Sequence, residues 1–119
     1  TMAVRNYTEL VAWQKAMDLV EDVYLLSASF PREELYGLTG QLRRAAVSVP
    51  TNIAEGQGRR NTGEFIQFLG VAHGSLCEIE TQVRIAARLK FVAQSEADIV
   101  LGLSAEVGRI IYGLRNSLS

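Results

Sequence analysis

The chain has 119 residues, 48% of them hydrophobic, with 12 basic and 13 acidic side chains and a net charge of −1. That length fits a single domain, residues 1–119, built on one core, and the hydrophobic share excludes a disordered chain. The near-zero charge argues against a surface that binds polyanions all over.

Cys77 is the one cysteine, so no intrachain disulfide forms. The N-terminal stretch shows no signal-peptide pattern, and no apolar run approaches the roughly 18 residues of a membrane span. The expectation is a cytoplasmic protein with no membrane partner, its natural start at Met2, and residues 1–7 forming an N-terminal extension.

Four segments carry helical periodicity. The first is predicted from Thr8, as N-cap, to Ser29. Leu10, Trp13, Met17, Val20 and Tyr24 recur at three- and four-residue steps and predict its core face, widened by Leu19, Val23 and Leu26. Phe30 and Pro31 end it.

The second helix is predicted to begin between Arg32 and Leu35 and to reach Gly56. Leu35, Leu38, Leu42, Ala45, Val49 and Ile53 follow a heptad-like pattern. Pro50 interrupts it, removing the amide that would bond the carbonyl of Ala46. The apolar period crosses the proline in phase, which predicts one kinked helix. Ser48, Asn52 or water is expected to serve the freed carbonyl. Gly56, Gln57 and Gly58 are expected to stop the helix.

The third helix is predicted over 62–90, capped by Asn61 or Thr62. Its stripe is Phe65, Leu69, Ala72, Leu76, Ile79, Val83 and Ala86. The fourth is predicted from Ser95 as N-cap, with Val100, Leu103, Val107, Ile110, Leu114 and Leu118 on its apolar face. No two-residue alternation competes. The fold class is therefore all-α, an up-down-up-down four-helix bundle with a proline-kinked second helix. Ile66, Val71, Ile85, Ile99 and Ile111 fall outside the stripes, and apolar surplus of this kind predicts self-association.

Catalytic constellations are thin. His73 is the one histidine, and Cys77 follows it by four residues on the same long helix, where packing is the ordinary role. Metal sites need several soft or carboxylate ligands, and Glu78 and Glu80 have no Glu-x-x-His partner. EGQGRR, from Glu55 to Arg60, contains G-x-G but lacks the third glycine and the preceding strand of a dinucleotide site. The expectation is no enzyme, no cofactor and no metal.

Charge is uneven along the chain. Residues 41–60 hold Arg43, Arg44, Arg59 and Arg60 against Glu55 alone. These arginines are the candidate nucleic-acid or anion contacts, because the planar guanidinium fork bonds phosphate bidentately. Arg59 and Arg60 precede the third helix, whose N-terminus attracts anions. Gln41, Arg44, Ser48, Asn52, Glu55 and Arg59 make a polar stripe on the second helix, and Glu64, Ser75, Glu78 and Gln82 make another on the third. Ser48, Pro50, Asn52, Glu55 and Glu78 are the candidate interface or structural residues. An ordinary solvated face is the simpler reading of these stripes.

Three blocks together resemble a known family: YTELVAWQKAMDLVEDVY near the start, LTGQLRRAAVSVPTNIAEGQGRR from Leu38 to Arg60, and FIQFLGVAHGSLCEIETQ from Phe65 to Gln82. They are similar to the bacterial four-helix bundle proteins associated with intervening sequences of 23S ribosomal RNA genes. The likeness runs from Tyr7 to about Leu118. Arg43, Arg44, Pro50, Asn52, Ile53, Ala54, Glu55 and Gly56 match that family's hallmark stretch. The resemblance implies an up-down bundle assembled into a ring, commonly a pentamer, with no established enzymatic activity. A related branch, the accessory variability determinants of diversity-generating retroelements, binds reverse transcriptase and nucleic acid, but is strongly basic where this chain is slightly acidic. The resemblance thus implies a homo-oligomeric scaffold for RNA or an RNA-processing partner. A protein-interaction module without nucleic-acid contact is the alternative that the near-zero charge favours.

Overall fold

In the computed structural model, which describes residues 6–119, four antiparallel helices pack up-down-up-down. They are α1 (Val11–Ser27), α2 (Leu38–Gln57), α3 (Thr62–Arg88) and α4 (Gln94–Leu118). α1 touches α2 and α4, and α3 touches the same two, while diagonal pairs make no contact among the described residues. The bundle measures 48 × 25 × 19 Å. Its core includes Leu19, Leu42, Ile53, Leu69, Leu76, Ile79 and Ile111, all fully buried. Burying each such side chain contributes roughly 1.5–3 kcal/mol before entropy is counted. Of the N-terminal extension predicted over 1–7, residues 1–5 lie outside the described residues.

Helix starts differ from the sequence-based expectation in instructive ways. Asn6, not Thr8, is the first cap. Its side chain accepts from the Thr8 N–H at 3.0 Å, and Glu9 accepts from the Asn6 N–H at 3.0 Å. This capping box encloses a short 3-10 turn, Tyr7–Glu9, and the chain extends at Leu10 before α1 begins at Val11. At the other end of α1, Arg32–Glu34 forms a second 3-10 turn, and α2 starts only after Gly37. Leu35 therefore lies exposed in the connection rather than in the heptad face. α4 starts at Gln94, one residue before the expected cap Ser95. Ala93 offers no acceptor, but Glu96 accepts from its N–H at 3.0 Å. Asn61 caps α3 as expected, accepting from the Glu64 N–H at 2.8 Å.

α2 runs unbroken through the buried Pro50. Thr51 Oγ1 donates to the Val47 carbonyl and Asn52 Nδ2 to the Ser48 carbonyl, each at 2.8 Å. Neither Ser48 nor Asn52 serves the Ala46 carbonyl as expected, since Ser48 bonds Ser75 and Asn52 reaches Ser48; side-chain donors instead support the two carbonyls that follow Ala46, on the turn that proline weakens.

Gly56 is not a helix stop. It lies inside α2 and is buried, and a Cβ there would come within 2.7 Å of Phe68 Cβ. The helix ends at Gln57, and Gly58 follows in right-handed helical geometry.

The apolar faces are rotated from those predicted. α1 buries Ala12, Ala16, Leu19, Val23 and Leu26, while Met17 and Tyr24 are exposed. α4 buries Ala97, Val100, Ser104, Val107 and Ile111, with Leu103, Ile110 and Leu114 half-buried beside them. Ile111, expected outside the core, is fully buried; Val71, Ile85 and Ile99 are exposed.

α3 ends in a Schellman turn. The Phe91 N–H donates to Ala86 O at 2.9 Å and the Lys90 N–H to Ala87 O at 3.1 Å. Lys90 holds φ at 66°, the left-handed region where a Cβ is unfavourable. Lys90→Gly is expected to stabilise the chain by roughly 0.5–1 kcal/mol, the relief of that strain less the extra freedom of glycine in the unfolded chain. Thermal melting followed by circular dichroism checks this, and an unchanged or lower midpoint would count against it. Phe91 itself packs on Phe30, ring centroids 5.8 Å apart, closing the end of the bundle where both connections lie.

Candidate functional site

The residues singled out in the sequence do not converge on one site. Arg43 and Arg44 lie on α2, whereas Arg59 and Arg60 lie beyond its end at Gln57; the helix from Arg44 to Gln57 spans about 20 Å at ~1.5 Å per residue. The arginines form two separate pairs.

The first pair lines an open groove of about 510 Å³ on α2, with Tyr24 of α1 at its side. Arg43 is held in place. Its Nε donates to Ser27 Oγ at 2.8 Å, and its guanidinium lies 4.7 Å from the Tyr24 ring centroid. Ser27 is itself buried. Both terminal nitrogens of Arg43 remain without a partner among the described residues, as does the Arg44 guanidinium. No carboxylate lines this groove. Gly40, Val47, Thr51 and Asn52 complete its walls.

The second pair is more self-satisfied. Arg59 lies over the Phe68 ring at 4.8 Å and 3.9 Å from Glu55, an exposed ion pair of small energetic weight. Arg60 is exposed. The N-terminus of α3, expected to draw an external anion, already has its own groups. Asn61 caps it, and Glu64 Oε2 accepts from Asn61 Nδ2 at 2.8 Å.

Ser48 faces α3 of its own chain, and Asn52 bonds back to Ser48 within α2. The Ser48 and Ser75 hydroxyls bond at 2.8 Å, and Asn52 Nδ2 also reaches Ser48 Oγ at 2.9 Å. Small polar side chains here let α2 and α3 approach closely. Glu78 lies exposed beside Arg44, Gln41 and Gln82 in a neighbouring shallow groove.

Two features were not legible in the sequence. One is an apolar groove of about 420 Å³ between α1 and α2, walled by Trp13, Met17, Val20, Val47, Pro50 and Ala54. Its α1 side is the stripe that periodicity assigned to the core. Leu19, Val23 and Leu26, predicted to widen that stripe, are buried, and Ala12 and Ala16 in phase with them were the available signal. The other is a groove of about 580 Å³ between α3 and α4, where His73, Glu80, Arg109 and Tyr112 gather over Ser104. Cys77 is exposed and does not line that groove. Among the described residues, no three His, Cys, Asp or Glu side chains cluster as a metal site, and no helix is long and apolar enough to cross a membrane.

These features define a four-helix-bundle protein whose polar chemistry sits in open surface grooves. A family model described as 23S rRNA-intervening sequence protein matches residues 8–113, and the chain belongs to that family. A crystal structure of a protein with unknown function, of the S23 ribosomal protein family from Bacteroides thetaiotaomicron, aligns at a TM-score of 0.82 and 18% identity. The alignment covers 88% of this chain and 98% of that one, a likeness of fold. No functionally curated protein matches the chain.

Proposed function

We propose that this protein is a non-catalytic, homo-oligomeric helical scaffold, a pentameric ring, that binds RNA or an RNA-processing partner through the arginines of α2. The observation that carries the reading is the Arg43–Arg44 groove. It presents two guanidiniums that lack internal partners, in a wall without carboxylates. Membership of a family tied by name to 23S rRNA points the same way. The net charge of −1 is compatible with local contact, because no acid lines the Arg43–Arg44 groove, Glu78 lying beside Arg44 in the neighbouring one. Repetition around a ring multiplies a weak single contact into avidity. Arg59 and Arg60 extend the contact at the far end of α2.

Self-assembly rests on a separate observation, the half-exposed apolar groove between α1 and α2. The apolar side chains left open to solvent there are what a second copy of the chain would cover. The same groove favours the second reading, a protein-interaction module without RNA contact.

An electrophoretic shift assay with structured ribosomal RNA tests the first reading. Retardation is expected at low salt, weakening as salt rises through counterion release. Arg43→Ala combined with Arg44→Ala should abolish it. Absence of a shift at low salt would refute direct RNA binding and leave the second reading, for which a nuclease-resistant partner in a pull-down is the supporting result.

A further inference from the structure

We infer that the groove formed by Tyr24, Arg43 and Arg44 is a subsite for one unpaired nucleotide of an RNA strand, its phosphate on the two guanidiniums and its base on the Tyr24–Arg43 stack. This deepens the RNA-binding reading above and rests on it.

The groove differs from a merely basic patch in three ways. First, Arg43 is preorganised. The buried Ser27 hydroxyl takes its Nε, and the Tyr24 ring supports its plane, so binding orders little that is not already ordered. Second, the donors left over are the right ones. Arg43 keeps its two terminal nitrogens and Arg44 its whole fork, which suits the oxygens of a phosphate. Third, an aromatic residue, Tyr24, 43% exposed, stands at the edge of the same groove.

The stacked pair selects the state of the RNA. Guanidinium planes and aromatic rings take up bases only where those bases have left the helical stack. A duplex keeps its bases inside and presents phosphates and 2′-hydroxyls, which would engage the arginines and leave Tyr24 unused. The groove is also open enough, at about 510 Å³, to admit a nucleotide from the side. The Arg59–Phe68 pair likewise sets an arginine over an aromatic ring, but Glu55 occupies its arginine.

Fluorescence anisotropy with a labelled single-stranded RNA of about 12 nucleotides, and with the duplex of the same sequence, tests the subsite. The wild-type chain should prefer the single strand. Tyr24→Leu should weaken single-strand binding about tenfold, the loss of one stacked base, while Tyr24→Phe should retain it. Arg44→Ala should lower the slope of log affinity against log salt by about 0.7, one single-strand phosphate contact. Circular dichroism melts of each variant keep folding defects apart from binding defects.

If single-strand binding ignores both Tyr24→Leu and Arg44→Ala yet disappears in Arg59→Ala with Arg60→Ala, the subsite is overturned and RNA binding stands. A duplex preference with Tyr24→Leu indifferent overturns it too. If neither RNA binds at low salt, the RNA-binding reading falls, and this subsite with it.

Discussion

Gly56→Ala is expected to destabilise this protein by about 2 kcal/mol, although alanine is ordinarily the better helix former. Gly56 sits inside α2 against α3, and an added Cβ would come within 2.7 Å of Phe68 Cβ and 2.9 Å of Phe65 Cδ1. Phe68 Cβ is one bond from the backbone and cannot rotate away, so the two helices must separate. Overpacking of this kind costs about 1–3 kcal/mol and sometimes more. The helix-propensity gain of about 1 kcal/mol offsets only part of a cost at the upper end of that range. Separation also strains the Ser48–Ser75 hydrogen bond in the same seam. Gly102→Ala is the matched control. Nothing lies within 4 Å of a Cβ there, so the same change should stabilise by up to about 1 kcal/mol. Thermal melts of the two variants should move in opposite directions. A Gly56→Ala protein as stable as the wild type would show that the α2–α3 seam is looser than described.

The second large effect concerns assembly. Light scattering of the wild-type chain is expected to give a multiple of 13.1 kDa. Met17→Glu combined with Val47→Glu should return it to the mass of one chain. Both side chains line the apolar groove between α1 and α2, and both are partly exposed in the single chain. Glutamate at either position therefore remains solvated in a monomer, and folding should survive. Inside a closed interface the same carboxylates would be buried without partners, at roughly 3–5 kcal/mol each. That is about two to four orders of magnitude in Kd. A wild-type chain that is already monomeric at micromolar concentration would overturn self-assembly. A variant that assembles undiminished would move the interface to another face.

These two predictions draw on different depths of information. The existence of four helices, their order and their short connections were legible in the residues. Apolar side chains recur every three or four positions, and little else in the chain competes with that period. The α3 cap was legible to within one residue, Asn61 or Thr62, because either side chain can accept from the free amides that follow, and the structure uses Asn61. The continuity of α2 through Pro50 followed from the unshifted apolar phase.

What periodicity alone left undecided was which of two overlapping stripes turns inward. On α1, Trp13, Met17, Val20 and Tyr24 are larger than Ala12 and Ala16, and their three- and four-residue steps place them on one face. The bundle reverses the choice, because two neighbouring helices must approach α1 closely and alanine permits that approach. The displaced large side chains then become a groove, and Tyr24 becomes the support for Arg43.

The arginines show the same division. Four of them lie near one another along the chain. Only the fold sets about 20 Å of helix between the pairs, gives Arg59 to Glu55, and turns Arg43 and Arg44 to a groove without acids, with Glu78 beside Arg44 in the neighbouring one. The sequence by itself determined the bundle, through local periodicity and capping that each segment satisfies alone. The tertiary structure decided the surfaces, because which face is buried and which charge finds a partner depend on neighbours distant in the chain.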